Sequence, residues 1–192
     1  LWFALLFLVG AIAMRGAGCT LNDIVDRNYD GRVARTKGRP IPSGRLSVKQ
    51  ALIFLAAQAL LGLAILLQFN SHTVVLAMTS LLIVAIYPFM KRITWWPQVV
   101  LGLAFSWGAL MGFAVMLGRI DPAALVLYAG SIAWVIGYDT VYAHQDAEDD
   151  ALIGIKSTAI LFGEKTKSML AVFFAGAVAL IGLAGFLANA EL

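Results

Sequence analysis

Six long apolar runs constrain the fold of this 192-residue chain more than any other feature. They occupy residues 1–21, 51–67, 74–90, 99–117, 123–143 and 168–188. At about 1.5 Å per residue, a helix of this length spans a hydrocarbon core of roughly 30 Å. The runs are apolar on every face, whereas a barrel strand would show strict alternation over about 10 residues. The pattern predicts an all-α integral membrane protein, a transmembrane helix bundle with six spans here.

Composition supports the same fold class. The chain is 61% hydrophobic and 13% charged, whereas a soluble domain carries about a quarter charged residues. A soluble globule and a disordered chain are therefore both excluded.

The single cysteine, Cys19, excludes a disulfide framework and a Cys-rich metal site. A net charge of +3 says little about partners, and we expect the lipid bilayer as a partner and no nucleic acid. We interpret residues 1–192 as one transmembrane domain. Because Leu1 lies inside an apolar run, we expect a fragment lacking both ends.

Most of the basic residues lie in the connections on one side of the bundle. Residues 31–50, 91–98 and 144–167 hold 11 of the 14 Lys and Arg residues. The opposite loops, 68–73 and 118–122, hold only Arg119. By the positive-inside tendency, the basic side faces the cytoplasm or the mitochondrial matrix. We therefore expect a bacterial or mitochondrial inner membrane protein whose active site lies on that side.

Two groups of acidic residues follow apolar runs. The first acidic segment comprises Asn22, Asp23, Asp26 and Asp30, and the second comprises Asp139, Asp146 and Asp150. If each helix continues through its acids, the first set shares an arc of about 100° and the second an arc of about 40°. The order of the spans predicts that both segments lie at the basic side.

Clustered carboxylates at a membrane helix end need partners, because unpaired charge there costs a few kcal/mol or more. A divalent cation meets this need, and carboxylate oxygens suit Mg²⁺, Mn²⁺ or Ca²⁺. Mg²⁺ typically uses one or two carboxylates together with substrate phosphates. Two such segments on one side therefore predict a receptor for a diphosphate bridged by Mg²⁺. The alternative interpretation is that both segments are solvated helix ends.

Four motifs resemble one known family. The pattern N-D-x-x-D-x-x-x-D is complete in the first acidic segment, and D-x6-D-x3-D is complete in the second. Tyr87 with Lys91 and Arg92 is similar to a central Y-x-x-x-K segment, and 154–158 matches a further motif. In this order, the motifs resemble the intramembrane aromatic prenyltransferases of the UbiA type, and most closely their 4-hydroxybenzoate branch.

The resemblance implies nine transmembrane helices around a central cavity, of which this chain would supply about six. It implies Mg²⁺-dependent transfer of a polyprenyl group from its diphosphate to a ring carbon of an aromatic acid, 4-hydroxybenzoate in ubiquinone biosynthesis. Mg²⁺ and diphosphate binding is then assigned to Asn22, Asp23, Asp26, Asp30, Asp139, Asp146 and Asp150.

The remaining roles implied by the resemblance fall to basic and aromatic residues. Lys91 and Tyr87 would bind phosphate oxygens, and Arg92 would bind the carboxylate of the acceptor. Arg35 and Lys156 are further substrate-binding candidates. Arg35, Lys37 and Arg39 together could cover the diphosphate, although positive charges in this loop also orient a membrane protein without any other role.

Other functions remain open from the sequence. A member of the same family could use another acceptor, in a different quinone, chlorophyll, haem or lipid pathway. A cation-coupled transporter would also use membrane carboxylates, and a structural subunit would only solvate them. The acids lie beside many basic residues, which favours an anionic diphosphate over a permeating cation. Prenyl chain length and oligomeric state are not predicted.

Overall fold

The computed structural model describes residues 1–190, and these residues form helices and turns without any strand. The helices are α1 Trp2–Asp30, α2 Val48–Leu66, α3 Ser71–Ile93, α4 Pro97–Phe105, α5 Trp107–Leu117, α6 Pro122–Ala143, α7 Ala147–Leu152, α8 Thr158–Phe162 and α9 Thr166–Ala190. A single 3₁₀ turn, Gly163–Lys165, joins α8 to α9. The predicted all-α class is confirmed.

Six helical segments are long and apolar enough to cross a membrane. They are Trp2–Asp30, Val48–Leu66, Ser71–Ile93, Pro97–Leu117, Pro122–Ala143 and Thr158–Asn189. Many large apolar side chains on them are exposed, among them Leu82 at 69% and Phe186 at 70%. An exposed apolar surface of this extent is stable against lipid and not against water. The six predicted spans are therefore confirmed, and the chain is an integral membrane protein.

Local capping explains where several helices begin and end. Ser47 starts α2 with a capping box, in which Ser47 Oγ accepts from the Gln50 backbone N–H at 3.3 Å and Gln50 Oε1 accepts from the Ser47 backbone N–H at 3.0 Å. Asp121 caps α6 by accepting from the Ala124 backbone N–H at 3.0 Å. Gly118 ends α5 with a φ of +67°, a conformation that favours glycine.

The fourth span is not one continuous helix as predicted. It breaks at Ser106 into α4 and α5. Backbone groups released by a break in an apolar environment need new partners. Tyr128 on α6 provides one, since its hydroxyl donates to the Leu103 carbonyl at 2.8 Å. The indole N–H of Trp107 donates in turn to the Leu76 carbonyl of α3 at 3.0 Å.

The helices group into two compact units, Leu1–Asn70 and the residues from Ser71 onward. In the first unit, α1 packs against α2, and Phe69 contacts the rings of Phe3 and Phe7 at centroid distances of 5.8 and 5.2 Å. The single-domain interpretation of residues 1–192 stays a prediction.

In the second unit, α6 is the central helix and packs against α4, α5, α8 and α9. It comes close to α9 at Gly130, where an added Cβ would lie 3.0 Å from Leu180 Cβ and 3.1 Å from the Ile181 backbone nitrogen. Only glycine fits this crossing without moving a backbone, as is common between helices in lipid. This packing places the C-terminal end of α6, which carries Asp139, beside α4 and α8.

Candidate active site

The first acidic segment occupies the last two turns of α1. The helix continues through the acids to Asp30, as predicted. Asp26 and Asp30 are buried at 0% and 7% exposure, and Asn22 and Asp23 are half-buried. The spacing of four residues between Asp26 and Asp30 places them on one face of α1. Two carboxylates at the end of an apolar helix are thus withdrawn from solvent, as expected of a site and not of a solvated helix end.

Arg39 crosses this acidic face. One guanidinium nitrogen, Nη1, lies 2.8 Å from Asp23 Oδ1 and 3.0 Å from Asp30 Oδ2. Asp23 and Asp30 are seven residues apart and therefore point in nearly the same direction from the helix. A single cation spans both and compensates part of the negative charge of the segment.

The loop after α1 holds Arg39 in this position. The buried Thr36 hydroxyl donates to the Asp30 carbonyl at 2.9 Å, which closes the end of the helix. The Arg39 backbone N–H donates to the Thr36 carbonyl at 2.9 Å, and the Ser43 hydroxyl donates to the Arg39 carbonyl at 2.6 Å. Arg39 was only one of three equivalent basic candidates in the sequence, and the charge pattern holds no signal that singles it out. Arg35, which was predicted to bind substrate, is exposed in the same loop.

The second acidic segment is not on one continuous helix, so the predicted arc of Asp139, Asp146 and Asp150 is wrong. Helix α6 ends at Ala143, residues 144–146 form a turn, and α7 begins at Ala147. Electrostatics favours this break, because three acids (Glu148, Asp149 and Asp150) would oppose the macrodipole at the C-terminal end of α6. In the first turn of α7 the same acids are favourable.

Because of the break, the three acids of the second segment lie on different structural elements. Asp139 remains on the last turns of α6, Asp146 precedes α7, and Asp150 lies within α7. The Asp150 backbone N–H donates to the Asp146 carbonyl at 2.8 Å, which fixes the start of the short helix. All three acids are half-buried.

Asp139 precedes Thr140, which belongs to a buried cluster of neutral side chains at the end of α6. Gln98, the second residue of α4, is another member of this cluster. Gln98 is 4% exposed, and its Oε1 accepts from the Thr158 backbone N–H at 3.1 Å. Thr158 and Thr140 are also fully buried, with their hydroxyl oxygens 2.6 Å apart. Sequence reasoning missed Gln98, whose side chain is uncharged and lies outside the acidic segments.

The predicted phosphate-binding residues lie at the same end of the second unit as Asp139. The segment 153–158 joins them, since the Lys156 backbone N–H donates to the Lys91 carbonyl at 2.8 Å and Thr158 bonds to Gln98. Tyr87, Lys91 and Arg92 are half-buried on the last turns of α3. Segment 153–158 therefore links the end of α3, which carries Lys91, to the start of α4.

The side chains of Lys156 and Arg92 each lie near an aromatic ring. The Lys156 ammonium donates to the Ile93 carbonyl at 3.1 Å and lies 5.7 Å from the centroid of the Trp95 ring. These contacts direct it toward the end of α3. The Arg92 guanidinium lies 5.8 Å from the centroid of the Phe89 ring, a distance at which the aromatic face stabilises a cation.

The donor atoms of both acidic segments fit Mg²⁺ chemically. They are carboxylate oxygens and one amide oxygen, which are the ligands of hard divalent cations. Within residues 1–190, no three His, Cys, Asp or Glu side chains converge on a common metal position. In general, Mg²⁺ binds through one or two carboxylates and completes its coordination with water and phosphate oxygens.

Comparison with known proteins identifies relatives over nearly the whole chain. The mitochondrial 4-hydroxybenzoate polyprenyltransferase of Rattus norvegicus is 52% identical over 186 residues, covering 94% of this chain and 50% of that protein. The human enzyme of the same name is 50% identical over 187 residues, covering 95% and 50%. The Arabidopsis thaliana enzyme is 50% identical over 185 residues, covering 96% and 46%. The chain thus spans about half the length of these curated relatives.

Solved structures share the fold. A UbiA homologue from Aeropyrum pernix K1, in its apo form, is 28% identical with a TM-score of 0.81, covering 95% of this chain and 71% of that one. A UbiA homologue from Archaeoglobus fulgidus, bound to GPP and Mg²⁺, is 21% identical with a TM-score of 0.76, covering 96% and 66%.

The family comparison confirms the resemblance carried by the four motifs. The model of the UbiA prenyltransferase family matches residues 1–191, a range that includes both acidic segments and the basic end of α3. On this match and on the shared fold, the chain belongs to the UbiA prenyltransferase family.

Proposed function

We propose that this protein transfers a polyprenyl group from polyprenyl diphosphate to a ring carbon of 4-hydroxybenzoate, in an Mg²⁺-dependent reaction of ubiquinone biosynthesis. The observation that carries the proposal is the arrangement at the end of the second unit, where the Lys91 carbonyl and the hydroxyl of Thr140, the residue after Asp139, both bond to one segment, 153–158. A carboxylate for a metal and a cation for phosphate are the two requirements of a metal–diphosphate site. The relatives that are about half identical to this chain carry the name of this activity.

The first acidic segment also offers oxygen ligands for Mg²⁺. Its buried carboxylates, Asp26 and Asp30, offer oxygens at the end of α1. The archaeal homologue solved with GPP and Mg²⁺ supports the same class of ligand. We assign Asn22, Asp23, Asp26, Asp30, Asp139, Asp146 and Asp150 to Mg²⁺ and diphosphate, and Tyr87 and Lys91 to phosphate oxygens.

The reaction breaks the bond between the allylic carbon and the diphosphate oxygen, and the diphosphate leaves with the electron pair. Mg²⁺, when bound with the diphosphate, supplies positive charge to the leaving oxygens. Lys91 neutralises part of the same developing charge through its ammonium group. The aromatic ring then forms a bond to the allylic carbon and loses its ring proton. The apolar helices around the site exclude water, which would otherwise capture the allylic cation.

Arg92 is assigned to the acceptor. Its planar guanidinium matches a carboxylate in bidentate geometry, which a lysine does not. Its position next to Lys91 on α3 brings the acceptor site and the phosphate site within one helical turn. Arg35 and Lys156 are assigned to substrate binding, and the Lys156 ammonium lies against Ile93 and Trp95.

The basic loops support an orientation with this end of the bundle toward the cytoplasm or the matrix. The named relatives are mitochondrial, and we assign the chain to an inner membrane of that origin or its bacterial counterpart.

The test is a product assay with the full chain reconstituted in lipid. Polyprenyl diphosphate and 4-hydroxybenzoate should give a product whose mass equals the acceptor plus the prenyl group less one hydrogen. Chelation with EDTA should abolish the product, and added Mg²⁺ should restore it. Offering other hydroxylated aromatic acceptors in parallel decides the acceptor. Product formed only with another acceptor would replace the 4-hydroxybenzoate assignment, and ion flux without a covalent product would contradict the enzymatic function.

A further inference from the structure

A cavity of about 550 Å³ opens at the end of the second unit that is remote from Lys91. It lies between the first turns of α3, the end of α5 and the loop that follows α5. His72 in its lining and Lys91 both belong to α3, and at about 1.5 Å per residue they are roughly 28 Å apart. The cavity is therefore at the opposite membrane face from the proposed active site.

The lining of this cavity changes from polar to apolar along α3. Ser71 and His72 stand at the start of the helix. Val75, Leu76 and Thr79 line the cavity about one to two turns further along the same helix. Val75 is 65% exposed, so an apolar wall stands open beside a polar mouth. An amphiphile covers both parts, whereas a free ion would leave the apolar part uncovered.

Hydrogen bonds to the Leu76 carbonyl hold the wall of the cavity in place. The Thr79 hydroxyl donates to this carbonyl at 2.6 Å, which satisfies the polar group of Thr79 within the helix. The indole N–H of Trp107 donates to the same carbonyl at 3.0 Å and joins α3 to the start of α5. A cavity between helices that are already joined is formed before its ligand arrives, which lowers the cost of binding.

Arg119 supplies the charge at the mouth of the cavity. It is the only Lys or Arg in the two connections on this side of the bundle, and it lines the cavity together with His72. Asp121 is the one acid in these connections. It is 7% exposed, and its Oδ1 accepts from the Ala124 backbone N–H, so this carboxylate is engaged in capping α6. The mouth is therefore suited to an anion.

We propose that this cavity binds an anionic glycerophospholipid, with its phosphate at Arg119 and His72 and part of an acyl chain along Val75 and Thr79. A guanidinium binds phosphate oxygens through two parallel hydrogen bonds, and the acyl chain covers the open apolar wall. The bound lipid stabilises the packing of α3 against α5, because it binds the folded chain. This site is separate from the prenyl diphosphate site and does not depend on the proposed function.

The experiment measures lipid binding to the full chain in detergent by native mass spectrometry. The chain is stripped of lipid and titrated with phosphatidylglycerol, which is anionic, and with phosphatidylcholine, which is zwitterionic. We expect phosphatidylglycerol to bind more tightly. Arg119→Gln should raise its dissociation constant about fivefold, the usual contribution of one basic residue near anionic lipid. Arg32→Gln is the matched control, since it removes the same charge from an exposed position in the loop after α1, and it should change the constant by less than about twofold.

A second variant tests the apolar part of the cavity and also serves if Arg119→Gln does not fold. Thr79→Phe narrows the apolar part and leaves Arg119 in place, so it should weaken phosphatidylglycerol binding. Equal affinities for the two lipids, or equal effects of Arg119→Gln and Arg32→Gln, would overturn the proposal. Full displacement of the lipid by inorganic phosphate would replace the lipid site with a phosphate site.

Failure of this proposal and failure of the proposed function are distinguishable. Lipid binding is measured without turnover, so a chain that forms no prenylated product can still bind phosphatidylglycerol at Arg119. Conversely, Arg119→Gln should leave prenyl transfer in detergent unchanged, because Arg119 lies outside the residues assigned to the reaction.

Discussion

The two acidic segments accommodate carboxylates at the end of an apolar helix in different ways. In the first, the acids stay on one continuous helix, and a cation from a loop, Arg39, bridges Asp23 and Asp30. In the second, the helix breaks after Ala143, and Asp139 adjoins a buried cluster of neutral side chains, Thr140, Thr158 and Gln98. The first segment therefore has part of its negative charge compensated by a cation, whereas the second lies next to neutral hydrogen-bonding groups.

The largest expected effect tests whether both segments serve one reaction. Asp26→Ala and Asp146→Ala should each lower kcat/KM by roughly 100-fold or more, because each removes a ligand of the group that stabilises the leaving charge. Product formation with a polyprenyl diphosphate, measured by mass spectrometry, is the assay. Glu148→Ala is the control, since Glu148 is an exposed acid with no assigned role. Near-normal rates in either variant would remove that segment from the site.

The next effect separates the acceptor site from both acidic segments. Arg92→Ala should raise the KM for the aromatic acid by about 10–100-fold, the cost of losing hydrogen bonds to a charged group. The KM for the prenyl diphosphate should change by less than about threefold. Steady-state kinetics with each substrate varied in turn measures both. An equal loss for the two substrates would move Arg92 to the phosphate site.

A smaller effect is expected when the charge compensation of the first segment is removed. Arg39→Met should reduce kcat/KM about fivefold, because the ion pairs are partly exposed and are worth on the order of 1 kcal/mol. Arg45→Met is matched to it, since Arg45 lies in the same loop and its guanidinium bonds to the Gly38 carbonyl. A loss as large as that of Asp26→Ala would instead make Arg39 a ligand of the diphosphate and sharpen the contrast between the segments.

The smallest effect on activity is expected from a change at the crossing of α6 and α9, since α6 bears Asp139 of the second acidic segment. Gly130→Leu should destabilise the protein by roughly 1–3 kcal/mol through overpacking against α9, and leave turnover within about twofold at temperatures below unfolding. Thermal unfolding in detergent measures the loss. Gly182→Leu on α9 is the control, because no atom lies within 4 Å of its added Cβ. Equal shifts in Tm for both variants would contradict the tight α6–α9 crossing.

The sequence by itself determined the class of fold and the chemistry of the donors. Six apolar runs become six helices because a backbone in lipid must satisfy its own hydrogen bonds. Both acidic motifs could be read without coordinates, and the family match confirmed the resemblance that they suggested. Composition and periodicity are local properties, and these predictions depended on nothing else.

Only the tertiary structure decided which residues support the acids. Arg39 is 16 residues from Asp23, and Gln98 is 60 residues from Thr158, so no local pattern reveals either contact. The break after Ala143 was likewise missed, because helical spacing across Asp139, Asp146 and Asp150 continues in the sequence while the electrostatics of the acids favours a new helix start. Contacts between distant segments form only when the chain folds and its helices pack, so a local sequence pattern carries no record of them.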